Sequence, residues 1–95
     1  MSIYDIIIRP IVTEKSESLK WQGKYTFEVH PGANKTEIKR AVERIYEVDV
    51  ESVNTMIMPA KISTMRGRRV SVRRPAWKKA VVTVALGQRI EALEA

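Results

Sequence analysis

Between Ala60 and Lys79 the sequence places eight cations and no carboxylate: Lys61, Arg66, Arg68, Arg69, Arg73, Arg74, Lys78 and Lys79. Five of the eight are arginine. A guanidinium donates paired hydrogen bonds to phosphate and stacks on flat rings, so this run suits recognition of a folded polyanion better than simple solvation. Gly67 admits close backbone approach or a positive φ at the tip of the run. Val70 and Val72 alternate with Ser71 and Arg73, the pattern of a β-ribbon arm that orders on its target. Trp77 has two readings. It stacks on a nucleobase, or it opens a core strand, which the usual burial of tryptophan favours.

A second anion-binding arrangement is Asn34-Lys35-Thr36. Free backbone N–H groups at a helix start, beside a lysine, cradle phosphate. Ordinary helix capping accounts for the same residues equally well. Lys15, Lys39 and Arg40 are further candidate phosphate contacts. Catalytic chemistry finds no comparable constellation. Glu14 and Glu17 have the i, i+3 spacing of a solvated carboxylate pair, and His30 precedes a Pro-Gly turn. Gly-rich phosphate loops, nucleophile elbows and metal-ligand spacings do not occur. Nor does the aromatic strand motif with which RNA-recognition-motif sheets stack bases.

These residues need a small scaffold. The 95 residues make one domain, 1–95, with a basic loop extension at 60–77. Apolar residues make up 44% of the chain, enough for a core. The absence of cysteine excludes disulfides, thiolate metal sites and cysteine nucleophiles. The N-terminus lacks a signal-peptide pattern, and the longest early apolar run is Ile6-Ile7-Ile8. The expectation is a cytosolic protein with no membrane insertion, no cofactor, no metal, no small-molecule substrate and no enzymatic activity. The net charge of +6 is unevenly spread. Residues 1–51 carry eight cations and nine carboxylates, whereas 52–90 carry nine cations and no acid. A near-neutral scaffold joined to a basic device reads as a polyanion binder.

The elements follow from periodicity. Tyr4 to Arg9 forms an edge strand or a turn of helix and is closed by Pro10. Thr13 caps a short helix over Glu14 to Lys20, ended by Gly23. Lys24 to His30 is a strand with Tyr25, Phe27 and Val29 on its apolar face. Asn34 and Glu37 have capping-box spacing. The helix they open runs from about Lys35 to Tyr46, with Ile38, Ala41, Val42 and Ile45 as its core stripe. Lys39 and Glu43 are expected to pair on its solvent side. A second strand carries Val53, Thr55 and Ile57 on one face and Asn54, Met56 and Met58 on the other. A third covers Lys79 to Leu86, with Ala80, Val82, Val84 and Leu86 sharing a face, and Arg89 to Ala95 adds a terminal turn. The order predicts an α+β domain, an antiparallel sheet of three to four strands with helices packed against it. The long basic loop lies between the last two strands, and loops of that length are usually functional or disordered.

Three stretches resemble a known family. They are Arg9-Pro-Ile-Val-Thr-Glu-Lys15, then Lys24 to Lys39 continuing through Ala41-Val42-Glu43 to Ser52-Val53-Asn54-Thr55-Met56, and Arg74-Pro-Ala-Trp-Lys-Lys-Ala-Val-Val-Thr-Val84. In this order, flanking a basic loop, they resemble the large-subunit ribosomal protein family numbered twenty-three in its bacterial form. The resemblance implies a ferredoxin-like domain bound to large-subunit ribosomal RNA beside the polypeptide exit tunnel. It implies neighbouring large-subunit ribosomal proteins as partners, and an RNA contact at Asn54. It also implies a docking point for trigger factor and the signal recognition particle. The family's docking motif falls on Val12, Thr13 and Glu14, followed by Lys15. Relatives often begin the loop with a Lys-Gly-Lys-rich run, where this chain has Ala60 to Met65, and carry an acid at Ala76. Two other classes fit the composition. A free-standing nucleic-acid-binding regulator would use the same arm, and an acylphosphatase-like enzyme would need a phosphate loop that the sequence lacks.

Overall fold

The computed structural model describes residues 3–65 and 69–93, with side chains described for 3–60 and 75–93. Arg66, Gly67 and Arg68 therefore lie outside the described residues, as do the ends of the chain. The elements in order are α1 (Ile3–Ile6), β1 (Ile7–Pro10), α2 (Glu14–Lys20), β2 (Lys24–Val29), α3 (Lys35–Tyr46), β3 (Val50–Met58), β4 (Lys61–Met65), β5 (Arg69–Arg74) and β6 (Trp77–Val84). A 3₁₀ turn, Glu91–Leu93, follows. The first apolar run thus divides between both of its readings, a helical turn and an edge strand.

Local chemistry explains why the two longer helices start where they do. Asn34 accepts from the Glu37 amide at 2.8 Å, and the Glu37 carboxylate accepts from the Asn34 amide at 3.1 Å, closing the expected capping box. At α2 the Thr13 hydroxyl accepts from the Ser16 amide at 3.1 Å, and Ser16 Oγ accepts from the Thr13 amide at 2.7 Å. The sequence signals Thr13 as the cap, but a serine in the reciprocal position is outside the usual Glu or Gln pattern. Gly23, at φ +71°, turns the chain from α2 into β2, a conformation that costs glycine nothing.

The main sheet has the order β1-β2-β6-β3, antiparallel throughout. β2 and β3 consequently run parallel with β6 between them, and α3 makes the crossover of a split β-α-β unit. Cross-strand partners Phe27↔Ala80, Tyr25↔Val82 and Val53↔Val82 direct one apolar set toward α3. There Ile38, Ala41 and Val42 are buried against Tyr25, Phe27, Val29, Ala80 and Val82. Tyr46 stacks on Phe27 at a centroid distance of 5.8 Å, and burial pushes its phenol pKa upward. Ile90 joins the same core, and its amide donates to the Tyr25 hydroxyl at 3.2 Å.

Two expectations change. Glu43 does not reach back to Lys39; its carboxylate accepts from the Val50 amide at 3.0 Å, joining the helix to the strand it leads into. A lysine N-terminal to a glutamate is the weaker orientation for a helical pair, so the backbone donor wins. β6 spans Trp77–Val84, and Leu86 lies beyond it, fully exposed. The β-ribbon expected from the alternation at Val70 and Val72 is present, and it takes in much of the loop at 60–77. Among the described residues β4 and β5 pair only with each other, in register Ser63↔Ser71 and Thr64↔Val70. No helix among the described residues is long and apolar enough to cross a membrane.

Candidate nucleic-acid interface

The ribbon leaves the sheet between β3 and β6, so its two roots are the ends of neighbouring strands. Lys61 and Arg74 face each other across its base, and Met65 and Arg69 pair nearest its tip. The backbone positions of Lys61, Arg69, Arg73 and Arg74 therefore lie along one hairpin. Arg66 and Arg68 fall between the two strands in sequence and lie outside the described residues.

Strand alternation sorts the body's candidate residues onto two sides. Ser52, Asn54, Met56 and Met58 of β3 stand opposite Thr83, Val81, Lys79 and Trp77 of β6. This set points away from the α3 core. Asn54 is exposed there, and Lys79 and Trp77 are half-buried. Trp77 is therefore not the core residue that average burial favours. The core takes the positions of Ala80, Val82 and Val84, and Trp77 is out of phase with them by an odd number of residues.

Lys78 goes the other way. Its partners Val29 and Ile57 place it on the α3 side, where its ammonium donates to the Ala33 carbonyl at 2.5 Å. Ala33 is buried, and its carbonyl precedes the helix and accepts no intrahelical bond. Lys78 thus satisfies an acceptor that would otherwise be stranded. Two residues further on, Lys35 and Thr36 sit exposed in the first turn of α3. The ribbon root, the open sheet face and the start of α3 meet at one end of the molecule. His30 serves this turn as well: its Nδ1 accepts from the Gly32 amide at 2.9 Å.

α2 lies over part of the open face. A cleft of about 440 Å³ runs between them, and Ser16, Leu19, Thr26, Met58, Trp77 and Lys79 contribute to its walls. Arg9 and Lys15 also line it, and no carboxylate does among the described residues. Arg9 is joined to Glu28 at 2.8 Å, just outside. The sequence offers no sign of this cleft, because α2 and the start of β6 are more than fifty residues apart. On its rim, Val12 is 72% exposed, and Glu14 stands exposed one residue beyond the Thr13 cap. Thr13 is exposed as well, but its hydroxyl already accepts from the Ser16 amide.

Comparison with known proteins finds similar sequences along nearly the whole chain. The model of the family described as ribosomal protein L23 matches residues 5–92. Among similar curated proteins, the large ribosomal subunit protein uL23 of Herpetosiphon aurantiacus is 50% identical over 99% of this chain and 98% of its own length. The uL23 of Pelotomaculum thermopropionicum is 51% identical over 95% of this chain and 93% of its own. That of Thermus thermophilus is 50% identical over 96% and 93%.

Proposed function

This chain belongs to the ribosomal protein L23 family, and from that membership we propose that it is a ribosome-bound, cytoplasmic structural constituent of the large subunit that grips ribosomal RNA directly. The observation carrying the RNA contact is the acid-free run of nine cations over 52–90, four of them on the two strands of a ribbon that, among the described residues, pair only with each other. The ribbon supplies Lys61, Arg66, Arg68, Arg69, Arg73 and Arg74 to phosphates. Lys79, Asn54 and Trp77 extend that contact over the open sheet face, and Lys35 and Thr36 extend it to the first turn of α3. Lys78 braces the root of the arm. The ribbon's length and charge suit a position beside the exit tunnel, reaching along RNA.

The function includes docking. Val12 and Glu14, presented by the capped start of α2, form the anchor for trigger factor and the signal recognition particle. An exposed apolar residue beside an exposed carboxylate suits a partner that brings a basic and an apolar side chain together. Neighbouring large-subunit proteins complete the surroundings.

The test is assembly. Large subunits lacking this protein are supplied with the full chain and washed at moderate salt. Co-sedimentation with the particle is expected, and recovery only in the ribosome-free fraction would point to a free-standing regulator instead. Glu14→Ala should assemble normally while weakening trigger factor recruitment; undiminished recruitment would remove Glu14 from the docking site.

A further inference from the structure

The cleft between α2 and the open sheet face has a composition that differs from the rest of the body. The body as a whole is near neutral over residues 1–51, yet the described residues lining this cleft include Arg9, Lys15 and Lys79 and no acid. Its volume of about 440 Å³ falls within the range of small-ligand sites. Trp77 and Met58, directly paired across β6 and β3, give it a flat aromatic and thioether wall. Thr26 forms part of its floor. The Thr26 residue is only 4% exposed, and its hydroxyl has no hydrogen-bond partner among the described residues. A buried hydroxyl left unpaired is costly, so this atom is a candidate contact for a polar group entering the cleft.

Aromatic wall, cationic rim and unsatisfied polar floor are the three requirements of a site for one unstacked nucleotide. We propose that this cleft receives a single extruded nucleotide of the bound RNA, with its base against Trp77 and its phosphates toward Lys79 and Lys15. Arg9 is held by Glu28 at 2.8 Å and contributes less. The inference rests on the RNA-binding reading and adds a base-directed contact to one otherwise made of phosphate contacts. A peptide side chain is the competing occupant, but Lys15 and Lys79, with no carboxylate among the described lining residues, favour the phosphodiester.

The experiment uses the unaltered full chain bound to protein-free bacterial large-subunit RNA. Ultraviolet irradiation followed by peptide mapping should place a nucleotide adduct on Trp77. Trp77→Leu should then weaken binding by roughly 5- to 150-fold while leaving the salt dependence unchanged, because a stack releases no counterions. Thr26→Val, a change of nearly equal volume, should weaken binding in the same sense without altering the melting of the free protein downward. Adducts confined to the ribbon, together with full affinity in Trp77→Leu, would overturn the nucleotide site and leave RNA binding standing. Absence of any salt-dependent binding by the unaltered chain would overturn the RNA-binding reading itself. Protection of Trp77 by an acidic peptide but not by RNA would assign the cleft to a protein side chain and also overturn the proposal.

Discussion

Two adjacent lysines show how much a single strand position decides. Lys78 and Lys79 have the same chemistry, and alternation sends them to opposite faces of β6. The Lys78 ammonium is held by the Ala33 carbonyl, whereas Lys79 stands on the open face within the basic cleft. Lys78→Met should therefore cost about 1 kcal/mol of stability and lower the melting temperature by roughly 4–8 °C, with an unchanged salt slope in RNA binding. Lys79→Met should do the reverse, leaving the melt alone and reducing the slope by roughly 0.7–0.9. Thermal melting and binding titrations at several salt concentrations on both variants check the pair. Tyr46 gives a pH test. Its phenol pKa is raised from 10.0 by burial beside Phe27, so the folded state holds the proton more tightly than the unfolded state. That contribution is fully present below the unfolded pKa of about 10 and is lost as pH rises through the higher folded value. Urea unfolding between neutral and strongly alkaline pH should show a smaller alkaline loss in Tyr46→Phe than in the parent chain.

At the scale of elements, the capping box at α3 is the feature on which most of the local structure turns. Asn34→Ala removes the acceptor for the Glu37 amide and should destabilise the protein by about 0.5–2 kcal/mol, measurable by chemical denaturation. This helix was legible in the sequence because its signals are local: a cap, a partner three residues on and a stripe at helical spacing. β2 was legible for the same reason, and the Val70–Val72 alternation announced the ribbon. Features set by distant packing were not legible. Thr26 reads as a polar, outward residue of β2, yet it is buried because α2 covers that part of the second face. Trp77 opens β6 with the look of a core residue, and only the register with Met58 shows that it faces away. Glu43 has a lysine four residues before it, and the strand that actually receives it begins seven residues after it. In each case the deciding neighbour is one that periodicity within a single element does not reveal.

At the scale of the whole molecule, the fold separates two tasks. A split β-α-β body with one apolar core carries the near-neutral half of the sequence, and a hairpin projecting from between β3 and β6 carries much of the positive charge. The extents of 53 × 30 × 19 Å reflect that division. A 95-residue domain buries a modest share of its surface, so the arm adds charge and reach without asking the core to cover it. Binding energy from such an arm is dominated by counterion release and is therefore read in its salt dependence. The direct measurement is the slope of log affinity against log salt for large-subunit RNA, comparing the parent chain with Arg68→Ala, Arg69→Ala, Arg73→Ala and Arg74→Ala combined. If the ribbon arginines hold phosphates, the combined variant loses roughly three units of slope. A slope equal to that of the parent would place the RNA elsewhere on the protein and contradict the account.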